Sequence, residues 1–250
     1  MLTRDHEARR SEYYDDPAFN YADWWLGRGY EHQAEVMAVR RLLRGRRFGH
    51  AVDVGGGFGR LSVVLADYAD KVTLAEPSRQ QLELASSFLA RHPAIDRRRM
   101  TATKLEFPDA STDLVTMIRV MHHLPDPAAE FAEVSRILRP GGYAIIEAAN
   151  ALHAANRVRY LLRGEPIPAS AVDIGSGGSI PYVNHHPDAV ARQLEAAGLR
   201  TRRLLSVSNF RHPLIKNALP ERLMLSAERA AQERLAGIRF GPSIFFFMQK

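Results

Sequence analysis

The stretch AVDVGGGFGRLS at residues 51–62 places four glycines in five positions, two residues after an aspartate. Glycine turns of this kind follow a strand in nucleotide and nucleoside sites, where they let backbone N–H groups approach the ligand closely. The spacing is D-x-G-x-G-x-G, starting at Asp53. A dinucleotide fingerprint, G-x-G-x-x-G, would require a glycine at position 60, where the chain has Arg60. The glycine spacing therefore disfavours a dinucleotide.

The carboxylate of Asp53 is a second discriminator between ligands. A pyrophosphate requires unscreened N–H groups and the positive end of a helix, so a carboxylate at the end of the strand would repel it. A cationic ligand would tolerate or favour the same carboxylate. S-adenosylmethionine carries a sulfonium and an α-ammonium, and its only anionic group is one carboxylate. The acid and the glycines together favour this cofactor.

A second acid, Glu76, follows the apolar stretch KVTLA at 71–75 and stands seventeen residues after Gly59. An acid in this place can accept hydrogen bonds from both ribose hydroxyls, in dinucleotide and nucleoside sites alike. The alternative is a solvated acid at a helix N-terminus, stabilised by the helix dipole. Because Glu76 comes after the glycine turn, ribose binding is the favoured interpretation.

Strands and helices alternate around these motifs. Predicted strands lie at 50–54, 71–75, 99–103, 113–118, 143–148, 200–210 and 243–249. Predicted helices lie at 31–43, 61–68, 77–90, 127–138, 151–163, 187–199 and 220–235. A turn is predicted at 140–142. This alternation predicts an α/β fold, with a parallel sheet that is covered by helices on both faces.

Composition narrows the function classes. The chain has 250 residues and no cysteine, which excludes disulfides, thiolate nucleophiles and cysteine-ligated metal sites. Its formal net charge of +6 is consistent with attraction of nucleic acid or of acidic substrates, but the arginines are scattered in short clusters. No basic block reaches the ~5–6 like charges of an interaction tail, so we expect no specific nucleic-acid binding. The chain shows neither a signal peptide nor an apolar stretch of about 20 residues, so we expect a cytoplasmic protein without a membrane partner.

Four motifs in register resemble the class I S-adenosylmethionine-dependent methyltransferases, in the group that includes small-molecule and quinone methyltransferases. They are VDVGGGFGRLS, VTLAEPS, LEFPDASTDLV and VMHHLPDPAAEFAEVSRILRPGGYAIIE. The resemblance is close over residues 30–150 and looser afterwards. It implies a Rossmann-like seven-stranded sheet, mostly parallel, with an antiparallel last strand and helices on both faces. The continuously apolar SIFFFMQ at 243–249 fits such a strand inserted into the sheet.

The resemblance also implies S-adenosylmethionine as cofactor and a set of residues that bind it. Those residues are Asp53, Gly55, Gly56 and Gly57 at the methionine moiety, Glu76 and Pro77 at the ribose, Thr101 and Ala102 at the adenine, and Arg119 after the fourth strand. The family usually has an aspartate at the adenine, where this chain has Thr101 before Ala102. An arginine at position 119 is likewise not the family's commonest choice.

Histidines supply the candidates for catalysis. Methylation of an oxygen or carbon acceptor requires deprotonation, for which His123 and His122 are candidate general bases; the alternative for His123 is packing within its loop. The pairs at 122–123 and 185–186 invite a metal interpretation. Adjacent residues on a regular element point apart, however, and neither pair has a carboxylate arranged as in H-E-x-x-H. We therefore expect no metal.

Two segments outside the alternating pattern, 1–30 and 151–186, are expected to form lids over an acceptor site within a single domain spanning 1–250. The edge beyond the strands is filled by cofactor, so an acceptor must approach from above it. The candidate substrate-binding residues are Tyr13, Tyr14, Trp24, Trp25 and Tyr182. The aromatic residues near the N-terminus could instead pack on the sheet or stack on bases.

The predicted function is methyl transfer from S-adenosylmethionine to a small organic acceptor. An NAD(P)- or nucleotide-sugar-binding enzyme on the same sheet, and a non-catalytic domain that binds S-adenosylmethionine, remain alternatives. Assembly into a homodimer is left open.

Overall fold

A seven-stranded sheet forms the centre of the computed structural model, which describes residues 14–16, 23, 25–174 and 182–250. Its strands are β1 (Phe48–Val54), β2 (Ala69–Ala75), β3 (Ile95–Arg98), β4 (Thr112–Met117), β5 (Leu138–Ala149), β8 (Arg200–Val207) and β9 (Ser243–Gln249). Two short strands, β6 (Val172–Asp173) and β7 (Val183–Asn184), form a separate antiparallel pair. The order across the main sheet is β3-β2-β1-β4-β5-β9-β8.

The first five strands are parallel, and β9 runs antiparallel between β5 and β8. This is the topology that the resemblance implied, including the inserted last strand, and the predicted fold class is confirmed. The strand order reverses between β1 and β4, so chain segments leave the sheet in opposite directions at that point. In open α/β sheets, ligands bind in the crevice that such a reversal creates, beyond the carboxyl ends of the strands.

Helices pack on both faces of the sheet. They are α1 (Gly29–Leu43), α2 (Ser62–Ala66), α3 (Arg79–Phe88), α4 (Ala128–Ile137), α5 (Ala154–Arg163), α6 (Pro187–Ala196), α7 (Pro213–Ala218) and α8 (Glu221–Arg234), with a 3-10 turn at Met121–His123. Phe245 and Phe247 of β9 pack into the apolar cluster that includes α1, while Phe246 and Met248 pack into the cluster on the opposite face. Both faces of β9 are thus buried, which explains its unbroken apolar sequence.

Two local predictions are wrong. The strand predicted at 99–103 lies at β3 (Ile95–Arg98) instead, and its pairing with β2 ends at Ala75↔Arg98. The residues that follow form a loop, closed by an isolated bridge between Thr101 and Lys104. The turn predicted at 140–142 lies within β5 instead, where the register against β4 shifts between Thr112↔Leu138 and Leu114↔Tyr143. The glycines are accommodated as an irregularity in a continuous strand.

Neither the division of the chain nor the two proposed lids is tested by the fold. The 151–186 segment contains α5 and the β6–β7 pair, and residues 175–181 lie outside the described residues. Most of the 1–30 segment also lies outside them. None of the helices in the described ranges is long and apolar enough to span a bilayer.

Candidate active site

The glycine turn after β1 passes directly over the side chain of Asp53. Gly55 and Gly57 have φ angles of +64° and +59°, a region that residues with a side chain rarely adopt. A Cβ atom added to Gly56 would lie 2.5 Å from Asp53 Oδ2 and 2.5 Å from Leu74 Cδ1. The absence of side chains therefore allows the turn to lie against the carboxylate and to expose its backbone to a ligand.

Asp53 is held by hydroxyl groups from two neighbouring elements. Ser62 Oγ, at the start of α2, donates to Asp53 Oδ2 at 2.7 Å, and Thr116 Oγ1 of β4 donates to Oδ1 at 2.8 Å. Burial raises the pKa of the Asp53 carboxyl, and the two hydroxyl hydrogen bonds oppose that rise. The carboxylate thus joins β1, α2 and β4 beneath the glycine turn.

Glu76 lies at the carboxyl end of β2 and contacts the same turn. Its two carboxylate oxygens accept hydrogen bonds from Gly57 N at 2.9 Å and from Ser78 N at 3.0 Å. Burial raises the pKa of Glu76 to about 7, although both backbone hydrogen bonds act to lower it. The Glu76 carbonyl accepts from Met100 N at 3.3 Å, which places the loop carrying Thr101 beside this acid.

The short N-terminal segment at 14–16 crosses this edge of the sheet. Asp15 Oδ1 accepts hydrogen bonds from Ser78 Oγ at 2.7 Å and from Gln80 N at 3.1 Å, so Asp15 caps the start of α3. Tyr14 reaches in the other direction, where its hydroxyl lies 2.7 Å from His123 Nε2. The segment therefore connects the end of β2 with the 3-10 turn after β4.

Aromatic rings gather around that 3-10 turn. The ring of Tyr182 lies 4.8 Å from the ring of His122 and 4.9 Å from that of His123, measured between centroids. The His122 and His123 rings are 4.0 Å apart, and Tyr14 contacts His123 edge-on at 5.7 Å. The structure thus brings together four of the residues predicted from the sequence. Tyr13 and Trp24 lie outside the described residues.

A buried carboxylate on α1, Glu35, organises two arginines near the glycine turn. It forms an ion pair with Arg60, and Arg119 Nε lies 3.8 Å from its other oxygen. The guanidinium of Arg60 lies 3.7 Å above the ring of Trp25, and that of Arg119 lies 5.6 Å from the same ring. Trp25 therefore lies against the arginines, whereas Tyr14 and Tyr182 lie around the histidines.

Sequence reasoning missed Asp15, Glu35 and Arg60 as site residues. Each forms its contact with a residue at least 25 positions away, and neither Asp15 nor Glu35 belongs to a motif with fixed spacing. Only the position of Arg60, one residue after the last glycine of the turn, offered a local signal.

Two cavities meet at Arg119. A small one is lined by Asp53, Gly55, Gly56, Arg60, Leu61, Ile118 and Arg119. A larger cavity of about 380 Å³ is lined by Arg119 together with His122, Glu147 and Tyr182, among others. Arg119 has a φ of +67°, and its N–H donates to Glu147 Oε2 at 3.0 Å, which holds the backbone in this conformation. A side chain between the two cavities can contact a molecule in either.

The two histidines differ in what they face. His122 lines the larger cavity, and burial, followed by the charges of His123, Arg119 and His185, lowers its pKa well below the ordinary value. His123 directs Nε2 to Tyr14. His185 Nε2 lies 2.9 Å from the carbonyl of Met121 and supports the 3-10 turn.

Within the described ranges, no three His, Cys, Asp or Glu side chains are grouped so that they could hold a metal ion.

Comparison with known proteins identifies the central region of the chain. Residues 52–146 match the family model of a methyltransferase domain. An uncharacterized methyltransferase of Schizosaccharomyces pombe is 32% identical over 130 residues, which is 48% of this chain and 47% of the relative. A ubiquinone biosynthesis O-methyltransferase of Coxiella burnetii is 24% identical over 204 residues, 78% of this chain and 83% of the relative.

A solved structure extends the match across the fold. The 1,6-didemethyltoxoflavin-N1-methyltransferase of Burkholderia thailandensis, solved with 1,6-didemethyltoxoflavin and S-adenosylhomocysteine, superposes with a TM-score of 0.65. It is 14% identical, and the alignment covers 99% of this chain and 89% of that one. The chain spans about half or less of the length of the first two curated relatives, at 47% and 40%. Residues 52–146 are therefore similar to a methyltransferase domain, and the motifs and sheet topology around them resemble those of the class I S-adenosylmethionine-dependent methyltransferases.

Proposed function

We propose that the protein transfers the methyl group of S-adenosylmethionine to a small organic acceptor bound in the larger cavity. The observation that carries this proposal is the position of Arg119, which lines both that cavity and the small cavity under the glycine turn. A cofactor with its methionine end at the glycine turn would present its methyl group toward the larger cavity. The name of the Coxiella relative, a ubiquinone O-methyltransferase, supports a small-molecule acceptor.

The residues at the glycine turn suit the two ends of the cofactor. Glu76 would accept hydrogen bonds from ribose hydroxyls, and the neighbouring loop at Thr101 and Ala102 would flank the adenine. Asp53 places negative charge beneath the turn, near where the cationic methionine end would lie. Arg60 lines the same small cavity and offers a partner for the single carboxylate of the cofactor.

Bound S-adenosylmethionine supplies an activated methyl group, so the task of the protein is chiefly to align the acceptor with it. Alignment of this kind can contribute on the order of 7–11 kcal/mol to barrier reduction. His122 faces the larger cavity and has a lowered pKa, so its imidazole is neutral near pH 7 and can accept a proton from an oxygen or carbon acceptor. This position favours His122 over His123, whose Nε2 faces Tyr14.

The N-terminal segment supports a role as a cover. Asp15 contacts the start of α3 next to Glu76, and Tyr14 contacts His123, so residues 14–16 would lie across the opening between the proposed ribose and acceptor sites. A cover in this position would exclude water from the transferring methyl group. Tyr182 packs against both histidines and would close the same region from the second segment.

The cofactor is tested by thermal denaturation with S-adenosylhomocysteine, NAD and NADP. A ligand at 100 times its dissociation constant stabilises the native state by about 2.7 kcal/mol. We expect S-adenosylhomocysteine alone to raise the melting temperature, and Glu76→Ala to reduce that increase. Glu83→Ala, which changes an exposed acid on α3, is the matched control. A shift with NAD and none with S-adenosylhomocysteine would refute the proposal.

Catalysis is tested by incubating a cell metabolite extract with S-adenosylmethionine labelled in its methyl group. Mass spectrometry should find the label in a small molecule, and the wild-type protein should produce it faster than His122→Ala. Binding of S-adenosylhomocysteine without any labelled product would instead identify a non-catalytic cofactor-binding domain.

A further inference from the structure

The larger cavity contains an excess of positive charge. Its lining includes four arginines, Arg28, Arg119, Arg159 and Arg211, which come from four separate parts of the chain. Glu147 is the one carboxylate among the described residues that line it. The fold therefore brings together arginine side chains that are far apart in the sequence, where the arginines occur only in short, scattered clusters.

The histidines of the cavity add no charge near neutral pH. Burial and then the charges of Arg211 and Arg159 lower the pKa of His153 to about 4. The pKa of His122 is also lowered well below its ordinary value. Burial and then the Arg119 charge lower the pKa of Arg211, and the charges of Glu147 and Glu31 partly oppose that lowering. The lining of the cavity thus carries four arginines against one carboxylate, and Arg159 and Arg211 are exposed to solvent there.

Two of the four arginines are available to a ligand. Arg119 already lies 3.8 Å from Glu35 and borders the proposed methionine site, so its charge is shared with the cofactor region. Arg159 and Arg211 form no ion pair with any residue in the described ranges. Arg159 is on α5 and Arg211 lies just before α7, so the two approach the cavity from separate elements.

We propose that the acceptor carries an oxyanion, either a carboxylate or a phosphate monoester, which Arg159 and Arg211 bind in the larger cavity. This inference rests on the proposed function and names the substrate class of the same site. Guanidinium groups bind carboxylate and phosphate oxygens through paired, charge-assisted hydrogen bonds. A bound oxyanion would also offset the excess of positive charge in the lining. A cavity of about 380 Å³ accommodates a small organic acid.

Binding to the protein loaded with S-adenosylhomocysteine tests the anion site directly. Isothermal titration compares benzoate and phenyl phosphate with neutral benzamide, which has the same ring. We expect at least one anion to bind about tenfold or more tightly than benzamide, and to lose about tenfold or more in the Arg159→Gln/Arg211→Gln double variant. Arg163→Gln removes an exposed arginine from the same helix outside the cavity and should leave binding unchanged.

Three results of this titration would overturn the proposal. In the first, neither anion binds more tightly than benzamide, which includes the case in which no probe binds. In the second, Arg163→Gln loses as much anion affinity as the double variant. In the third, the double variant binds the anions as tightly as the wild type. S-adenosylhomocysteine affinity should be the same in all variants, which separates the anion site from the cofactor site.

The labelling experiment identifies the source of the oxyanion. The metabolite extract is first divided on an anion exchanger at neutral pH, and each fraction is incubated with labelled S-adenosylmethionine. We expect the label in the fraction that the exchanger retains. Treating this fraction with phosphatase before the incubation then distinguishes the two anions. Loss of the labelled product identifies a phosphate monoester, and its survival identifies a carboxylate. Label only in the unretained fraction refutes the oxyanion. Label in neither fraction refutes the proposed function, and the titration then decides alone whether an anion site exists.

Discussion

Glu76 makes the stability of the ligand-free protein depend on pH. Burial raises its pKa to about 7 from an ordinary value of 4.5, so the native state holds the carboxyl proton more tightly than the unfolded chain does. The resulting stabilisation is fully present below the ordinary pKa. It is lost as the pH rises from about 4.5 to about 7, above which both states are ionised. Stability contributed by Glu76 therefore falls with rising pH.

The size of this effect follows from the two pKa values. A pKa raised by about 2.5 corresponds to about 3.4 kcal/mol at 1.36 kcal/mol per pH unit. About 2.5 kcal/mol of it falls between pH 5 and pH 8. Glu76→Gln removes the titration, so the free energy of unfolding of the variant minus that of the wild type should increase by this amount across the range. The Gln amide nitrogen would face one of the two backbone N–H groups, but that cost does not depend on pH and cancels from the slope.

Urea unfolding at several pH values measures this difference. Glu83→Gln is the control, because Glu83 is exposed on α3 and its substitution should give a difference that is nearly constant with pH. A Glu76→Gln difference that stays constant within about 1 kcal/mol from pH 5 to pH 8 would refute the reasoning. The same increase in the control would show that the slope has another origin.

Four further outcomes are expected. Gly56→Ala should destabilise the protein by roughly 1–3 kcal/mol and weaken S-adenosylhomocysteine binding, because the added Cβ would lie 2.5 Å from Asp53 Oδ2. Thermal denaturation measures both effects, and the control Gly237→Ala, which has open space around it, should show little change. Titration calorimetry should find that wild-type affinity for S-adenosylhomocysteine increases as the pH rises through about 7, since ribose hydroxyls donate to ionised Glu76, and that Glu76→Gln lacks this increase. Tyr14→Phe should slow methyl transfer about fivefold by removing one hydrogen bond to the 3-10 turn, and an unchanged rate of label incorporation would contradict a covering role. Filter binding at physiological salt should detect no sequence-dependent DNA or RNA affinity, and nanomolar specific binding would contradict this.

The meeting of Asp53, the glycine turn and Glu76 at one edge of the sheet could be predicted from the sequence because these residues belong to local motifs. The spacing from Asp53 through the glycines fixes a turn after one strand, and Glu76 follows the next strand directly. Parallel neighbouring strands bring both acids to one edge, and the structure joins them through the Gly57–Glu76 hydrogen bond. Local spacing and parallel pairing were sufficient to bring these groups together.

Contacts between distant segments could not be predicted in the same way. Asp15 meets Ser78 across 63 positions, and Glu35 meets Arg60 across 25, without any pattern that links their positions. The strand predicted at 99–103 is wrong for a related reason, because the extent of an edge strand is set by its partner β2 and not by its own residues. Tertiary pairing decides what local preference leaves open.

The distribution of charge across the site matches the charges of the two proposed substrates. Asp53 and Glu76 lie beneath the glycine turn, where a cofactor with a sulfonium and an ammonium would bind, and Arg159 and Arg211 line the cavity proposed for an oxyanion. Exchanging the two ligands would place like charges together, so this distribution would disfavour the exchanged arrangement of the two proposed ligands. Arg119 lies at the boundary, near Glu35 on one side and with its backbone bonded to Glu147 on the other. Those buried carboxylates hold Arg119 at the boundary, where it would border both the cationic donor and the anionic acceptor of the proposed reaction.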